Sequence, residues 1–154
     1  MHIFNAIRPL KKDEKIPYTL LLLADPSKEL IDQYLAVSTL YIAEEAGIVF
    51  GVYVLTPVDS NIAEIKNIAV CETHQGKGIG TLLLRHAEDT ARKNGYKKLI
   101  IGTGNSSIRQ LYLYQKMGFE ICGIKKNFFI INYKEALWEN HIQCKHMILL
   151  SKTL

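Results

Sequence analysis

Hydrophobic and polar positions divide the first third of the chain into strand-like and helix-like segments. Residues 2–8 are interpreted as a first strand. Residues 18–38, YTLLLLADPSKELIDQYLAVS, predict two short helices that are broken near Pro26. Ser27 is a suitable N-cap for the second helix, because its hydroxyl can accept a hydrogen bond from a free amide of the new helix.

Two segments rich in β-branched and aromatic residues follow. TLYIAEE and GIVFGVYVLTPV flank EEAG and predict a hairpin. NIAEIKNIAV predicts a further strand, and strict alternation along it places Glu64, Lys66, Ile68 and Val70 on one face.

A long amphipathic helix is predicted from about residue 78 to residue 94. Apolar residues recur at helical spacing on one of its faces, at Ile79, Leu82, Leu83, Ala87 and Ala91. On the exposed side we expect i,i+4 ion pairs between Glu88 and Arg92 and between Asp89 and Lys93.

The remaining segments complete a mixed pattern of strands and helices. KKLIIGT predicts a buried strand, residues 107–117 predict a helix, and FEICGI and HMILLS predict two closing strands. NFFIINYKEALWENH is interpreted as an irregular excursion. On the helix, Tyr114 is expected to point toward the protein and Tyr112 to lie in the core. Antiparallel hairpins thus precede a strand–helix–strand–helix–strand unit.

Composition and charge exclude several classes of protein. The chain has 154 residues, of which 48% are hydrophobic and 22% are charged, an ordinary globular composition. It has no linker rich in Pro, Gly or Ser, so we expect one domain over residues 1–154. A net charge of +4 on scattered lysine pairs lacks the dense basic stripe of a nucleic-acid-binding face. The longest apolar run, LLLLA, is far shorter than the ~20 residues that span a bilayer. Neither nucleic acid nor membrane is therefore an expected partner.

The three cysteines, Cys71, Cys122 and Cys144, are too few and too scattered for a disulfide framework. This favours a cytoplasmic protein. Cys144 does not combine with His141 and His146 in a zinc-binding spacing, so no metal is expected. An acyl-cysteine at Cys71 is disfavoured, because the sequence shows no positioned histidine partner.

The clearest chemical signal is the run of Gly76, Gly78 and Gly80 between an apolar strand and a helix. Glycine lets the backbone turn freely and lets another group approach closely. Free amides at a helix N-terminus bind anions such as phosphate, and Lys77 adds a positive charge. Neither a P-loop nor a dinucleotide fingerprint fits, because no Ser or Thr follows the lysine and the third glycine comes one residue early. A tight turn with spare glycines is the alternative.

Two motifs carry a resemblance to a known family. QGKGIG after a strand resembles the Q/R-x-x-G-x-G/A signature of the GCN5-related N-acetyltransferase (GNAT) family. GNSSIRQLYLYQKMGFE is similar to the family segment N-x-x-A-x-x-L-Y-x-K-x-G-F, and its matching residues are Leu113, Tyr114, Lys116, Gly118 and Phe119. Asn105 lies two residues further from the tyrosine than the usual asparagine, Ser107 holds the usual spacing, and Gln110 replaces the common alanine.

The resemblance is to small stand-alone bacterial members of the family in particular. It implies both a fold and a cofactor. It implies an α+β (α/β mixed) GNAT fold: a mostly antiparallel twisted sheet of about six to seven strands, a β-α-β-α-β core that binds acetyl-CoA, and about four helices. The cofactor-binding residues that it implies are Ile68, Ala69, Val70, Gln75, Gly76, Lys77, Gly78, Ile79, Gly80, Thr81, Asn105, Ser107 and Tyr114.

The resemblance also implies an acetyl-CoA-dependent N-acetyltransferase, in which a primary amine attacks directly within a ternary complex. Tyr114 is the candidate acid for the departing thiolate. Glu64 is the candidate base, with a chain of waters as the alternative. A base is needed because an alkyl amine with a pKa of about 10.4 is only about 0.04% neutral at pH 7. A backbone amide at Ile68 or Ala69 would polarise the thioester carbonyl.

The acceptor is expected to be a small-molecule amine or a peptide amine. In this family, residues 18–38 and 128–141 would wall its pocket. A non-catalytic CoA-binding or regulatory module on the same fold is the alternative function, and a homodimer is a possible assembly.

Overall fold

The computed structural model describes residues 6–154 and contains a seven-stranded sheet with the order β1-β2-β3-β4-β5-β9-β6. Only β4 and β5 pair in parallel; the other neighbours are antiparallel. The strands are β1 (Ile7–Pro9), β2 (Thr39–Glu45), β3 (Ile48–Pro57), β4 (Ile62–Val70), β5 (Lys98–Gly104), β6 (Glu120–Lys125) and β9 (Met147–Thr153). Of the predicted first strand, residues 2–5 lie outside the described residues.

Five α-helices and a separate two-stranded hairpin complete the described part of the chain. The helices are α1 (Tyr18–Ala24), α2 (Lys28–Leu35), α3 (Ile79–Lys93), α4 (Ile108–Lys116) and α5 (Phe128–Asn132), and the hairpin strands are β7 (Leu137–Glu139) and β8 (Ile142–Cys144). The predicted α+β class, the sheet and the β-α-β-α-β unit are confirmed. The Ser27 cap is also confirmed, because its Oγ accepts a hydrogen bond of 3.2 Å from the Leu30 amide.

The sheet separates two hydrophobic cores. Successive residues of β2 belong to different cores: Leu40 and Ile42 pack with α1 and α2, whereas Tyr41 and Ala43 pack with α3 and α4. This alternation is the period-two pattern of a strand that is buried on both faces. The fold therefore has three layers, with a helical pair on each side of the sheet.

One extra residue in β4 interrupts its pairing with β3. Val54 pairs with Asn67, but the next residue, Leu55, pairs with Ile65, so Lys66 is bulged out of the ladder. A bulge of this kind bends its strand and reverses which side chains face which side of the sheet.

The bulge makes the predicted common face of β4 wrong. Glu64 lines a cavity beside α2, whereas Ile68 and Val70 pack with the α3 side of the sheet. Ile65 also packs with the α3 side, and Ala69 packs with α1 and α2. Side chains cannot alternate strictly between the two faces of the sheet across the inserted Lys66. The hydrophobic pattern of the sequence did not reveal this insertion.

The buried face of α3 differs in part from the prediction. Leu84 is fully buried, whereas Leu82 is only partly so. Glu88, expected on the exposed side with Arg92, is 7% exposed and accepts a hydrogen bond of 2.9 Å from Lys152 Nζ. The exposed ion pair is Arg92 with Asp89 instead.

Tyr112 is exposed rather than part of the core. It lies two residues from Tyr114, about 200° around the helix, so one faces solvent when the other is buried.

The segment expected to be irregular contains α5 and the β7–β8 hairpin. Asn140 and His141 have φ values of 55° and 61°, so both residues of the two-residue turn adopt the left-handed conformation. The interpretation as an irregular excursion was therefore wrong. The hairpin strands have only three residues each, too few for a clear alternation pattern.

Candidate active site

The glycine loop exposes a run of backbone amides at the start of α3. Gly76 and Gly78 have φ values of +76° and +82°, which side-chain-bearing residues rarely adopt. Gly78 caps α3 without any side-chain hydrogen bond. Within the described chain, the amides of residues 76–81 donate no hydrogen bond to another residue. Together with exposed Lys77, this arrangement suits an anion.

The third glycine has a different role. Gly80 has an ordinary φ, and a Cβ placed on it would lie 3.8 Å from Leu113 Cδ2, an ordinary contact. It therefore sits where α3 meets α4. Gln75 holds the loop against the sheet, because its Nε2 donates a hydrogen bond of 2.9 Å to the Val70 carbonyl.

The two parallel strands separate beside this loop. The last β4–β5 pair is Ile65 with Ile101, yet β4 continues to Val70 and β5 to Gly104. A gap thus opens between the ends of the strands.

Hydrogen-bond alternation shows which amides face the gap. The Cys71 amide donates to the Phe50 carbonyl of β3. In an antiparallel ladder every second residue bonds to the partner, so the Ala69 amide also points to β3 and the Ile68 amide points into the gap. Of the two amides predicted to polarise the carbonyl, the structure favours Ile68.

A cavity of about 380 Å³ lies at the gap, with walls from β4, β5, α4, β7 and the α1–α2 connection. Tyr114 lines it and is only 5% exposed. Burial, and next the charge of Glu139, raise the pKa of Tyr114 well above its usual value. Its hydroxyl therefore keeps its proton throughout the physiological range.

Asn105 and Ser107 connect the start of α4 to the wall of this cavity. Ser107 Oγ donates a hydrogen bond of 2.7 Å to Glu139 Oε1. Asn105 Oδ1 accepts hydrogen bonds from the Lys145 and His146 amides, and its Nδ2 donates to a carbonyl of β8. Both side chains predicted to contact the cofactor are thus engaged within the protein, and their cofactor role stays a prediction.

The candidate base lies apart from the candidate acid. Glu64 lines a second cavity of about 350 Å³, whereas Tyr114 lines the first. The Glu64 side chain is 13% exposed and its Oε1 is 3.5 Å from Lys66 Nζ. Its role as a base stays a prediction.

Cys71 lies outside both cavities and packs at the edge of both hydrophobic cores. Its Sγ is 3.4 Å from Thr73 Oγ1, which lies 2.9 Å from His74 Nδ1. Hydrogen bonds from Thr73 lower the pKa of the Cys71 thiol. Since Cys71 lines neither cavity, its position does not favour an acyl-cysteine.

Asp25 is a cavity residue that the sequence did not single out. It is 9% exposed, lines both cavities, and accepts a hydrogen bond of 2.7 Å from the Tyr133 hydroxyl. Tyr34 Oη and the Ser27 amide each donate to it at 3.1 Å. An Asp before a proline is typical of a turn, and the pairing with Tyr133 spans too much sequence to be predicted.

No helix in residues 6–154 has the length and apolarity needed to cross a bilayer. In the same range, no three His, Cys, Asp or Glu residues cluster as a metal ion would require.

Comparisons with known proteins agree with this geometry. Residues 7–119 match the model of the Acetyltransferase (GNAT) family. The chain is 49% identical over 133 residues to the uncharacterised N-acetyltransferase YvbK of Bacillus subtilis strain 168, and the match covers 86% of each chain.

Two solved structures have the same fold over nearly the whole chain. One is a GNAT family acetyltransferase from Elizabethkingia anophelis with acetyl-CoA bound, with a TM-score of 0.95, 57% identity and coverage of 96% of this chain and 97% of that one. The other is an IAA acetyltransferase from Bacillus cereus ATCC 14579, with a TM-score of 0.92, 49% identity and coverage of 96% and 98%. The glycine loop, the gap between the strands and these matches together show that the chain belongs to the GNAT family of acetyltransferases.

Proposed function

We propose that the protein transfers an acetyl group from acetyl-CoA to a primary amine by direct attack within a ternary complex. The observation that carries the proposal is the gap between β4 and β5, with free amides of residues 76–81 near one end and Tyr114 in the cavity. The acetyl-CoA in the 57% identical E. anophelis protein supports the same co-substrate here.

The glycine loop fits the diphosphate of acetyl-CoA, which supplies the activated acetyl thioester when bound. Unpaired amides and Lys77 offer hydrogen-bond donors and positive charge to phosphate oxygens. The open space around Gly76 and Gly78 leaves room for them. Ile79, Gly80 and Thr81 continue this surface into the first turn of α3.

The Ile68 amide donates a hydrogen bond to the thioester carbonyl oxygen as negative charge develops on it. A fixed donor of this kind accelerates acyl transfer because it needs no reorganisation during the reaction. Ala69 pairs with Val52 of β3, and the Val70 carbonyl accepts the hydrogen bond from Gln75. Both contacts hold the end of β4 in position.

Tyr114 donates its hydroxyl hydrogen bond to the sulfur as the C–S bond breaks and the N–C bond forms. The sulfur takes a proton from Tyr114, which regains one from solvent. The amine loses its proton to Glu64, through water because the two residues line different cavities.

The test measures release of the CoA thiol from acetyl-CoA with a panel of amines and peptides. The panel includes IAA, after which the B. cereus neighbour is named. With the best acceptor, Tyr114→Phe should lower kcat about 100-fold or more. Tyr112→Phe is the matched control, since Tyr112 is on the same helix, 64% exposed, and should leave kcat unchanged. Glu64→Gln tests the base.

The alternative, a non-catalytic CoA-binding module, predicts a thermal shift with acetyl-CoA but no thiol release with any acceptor. Native rates in both Tyr114→Phe and Glu64→Gln would contradict the assigned roles while leaving the transfer itself in place.

The remaining proposals come from sequence. Residues 1–154 act as one domain, and the three free cysteines support a cytoplasmic location. A homodimer stays a prediction.

A further inference from the structure

Asp25 is a buried carboxylate that accepts hydrogen bonds but forms no ion pair within the described chain. Tyr34, Tyr133 and the Ser27 amide donate to it, and none of the ion pairs within residues 6–154 includes it. A carboxylate has about four acceptor positions, so at least one remains. Burial of a charge is costly unless it is paired, which makes a cationic partner favourable here.

The cavity beside Asp25 also has acceptor oxygens without donors. Asn67 is 3% exposed and lines the cavity, and its Oδ1 has no hydrogen-bond partner in the described chain. The orientation of its side-chain amide is fixed, because Nδ2 donates a hydrogen bond of 2.9 Å to the Leu21 carbonyl, and a carbonyl oxygen can only accept. Gln110 Oε1, on the same cavity, is buried and unpartnered as well.

These groups require a ligand that donates hydrogen bonds and carries positive charge. Asp25 and Glu139 add carboxylates to the two unpartnered oxygens, so one cavity has four acceptor side chains. Apolar or aromatic walls are also present, at Leu22, Leu23, Phe129 and Trp138. The one Lys or Arg side chain among the described residues of this lining, Lys66, has its ammonium 3.5 Å from Glu64 Oε1 and forms no ion pair with Asp25. An ammonium group on a methylene chain combines both properties, because the chain contacts the apolar walls and the ammonium has three donors.

The nitrogen bound to Asp25 is a poor candidate for the attacking one. The attacking nitrogen must be neutral, and a carboxylate beside it would favour the charged form. Asp25 is held by the α1–α2 connection and by Tyr133, whereas the gap and Tyr114 are on β4, β5 and α4. A molecule that reaches both regions has two nitrogens.

We propose that Asp25, held by Tyr34 and Tyr133, binds a second ammonium group of the acceptor, and that the acceptors are diamines or polyamines. This inference rests on the proposed function, because it names the acceptor class for the same site.

The experiment compares 1,5-diaminopentane with 1-aminopentane, which differ only in the distal ammonium. Each amine is measured in the thiol-release assay and by calorimetric titration into the CoA-bound protein. The native protein should show kcat/KM at least 10-fold higher for the diamine, with correspondingly tighter binding. Asp25→Asn should abolish this preference by raising KM for the diamine, with kcat and all monoamine values little changed.

Asp32→Asn is the matched control, because Asp32 is an exposed carboxylate of α2 whose side chain is 44% accessible. It should keep the full preference for the diamine. Tyr133→Phe, which removes one donor from Asp25, should reduce the preference and serves if Asp25→Asn does not fold, as checked by circular dichroism.

The outcomes separate the two proposals. Equal binding of both amines to the native protein, or an equal loss for both in Asp25→Asn, overturns the role of Asp25 even when thiol release is observed. Selective diamine binding without thiol release supports recognition at Asp25 and overturns the transfer reaction.

Discussion

Asn105 Oδ1 accepts a hydrogen bond of 2.7 Å from the Lys145 amide, and this contact joins the end of β5 to the chain that leaves the β7–β8 hairpin. The His146 amide donates to the same oxygen, and Asn105 Nδ2 donates to Gln143. A residue expected to contact the cofactor therefore also fixes a wall of the cavity that Tyr114 lines.

Asn105→Ala should lower the free energy of unfolding by about 2–3 kcal/mol, because three hydrogen bonds of about 1 kcal/mol each are lost. Urea denaturation measures this change. Asn132→Ala is the control, since Asn132 makes one exposed hydrogen bond, and should change stability by less than about 0.5 kcal/mol. Native stability together with weakened acetyl-CoA binding would instead assign Asn105 to the cofactor.

Gly78→Ala should destabilise the protein, whereas Gly80→Ala should not. Alanine at the φ of +82° of Gly78 costs about 1–2 kcal/mol. Alanine at Gly80, in the first turn of α3 with only an ordinary contact to Leu113, should be neutral or stabilise the protein by up to about 1 kcal/mol. Thermal unfolding without ligand measures both, and equal destabilisation would show that Gly80 is also needed for packing.

Removal of the Lys152 ammonium should expose the cost of burying Glu88. Lys152→Met leaves the Glu88 carboxylate and the Met117 carbonyl without their donor, and should destabilise the protein by about 1.5–3 kcal/mol. Arg92→Met breaks the exposed pair with Asp89 and should cost less than about 0.5 kcal/mol. Similar losses in the two variants would mean that the Glu88 pair is no stronger than a surface pair.

The pH dependence of transfer should reflect the raised pKa of Tyr114. A group with a raised pKa keeps its proton to higher pH, so kcat should not fall as the pH passes 10, where an ordinary tyrosine is half ionised. Rates between pH 7 and 10.5, corrected for uncatalysed hydrolysis of acetyl-CoA, measure this. A fall centred near pH 10 that is absent from the residual activity of Tyr114→Phe would contradict the assignment.

Local patterns predicted most elements of this fold because they depend on neighbours in sequence. The Ser27 cap and the glycine loop need only a few adjacent residues. The Lys66 bulge and the burial of Glu88 depend on which strand or side chain lies opposite, Val54 in one case and Lys152 in the other. These relationships arise only when distant segments pack.

The candidate site divides in the same way. The motif around Tyr114 identified a buried residue of the cavity from its neighbours alone. Asp25 could not be recognised, because what distinguishes it is a hydrogen bond to Tyr133, 108 positions further along the chain.

The single surplus residue in β4 has a consequence for how sequences in this family should be aligned and engineered. Loss of Lys66 would let Asn67 and Ile65 pair with Val54 and Leu55 as they do now, but without a break in the ladder. Glu64 would keep its side of the sheet, and β4 would lose its bend. A relative that lacks this residue should therefore have a straighter β4 next to the opening between β4 and β5, although its other residues keep their faces.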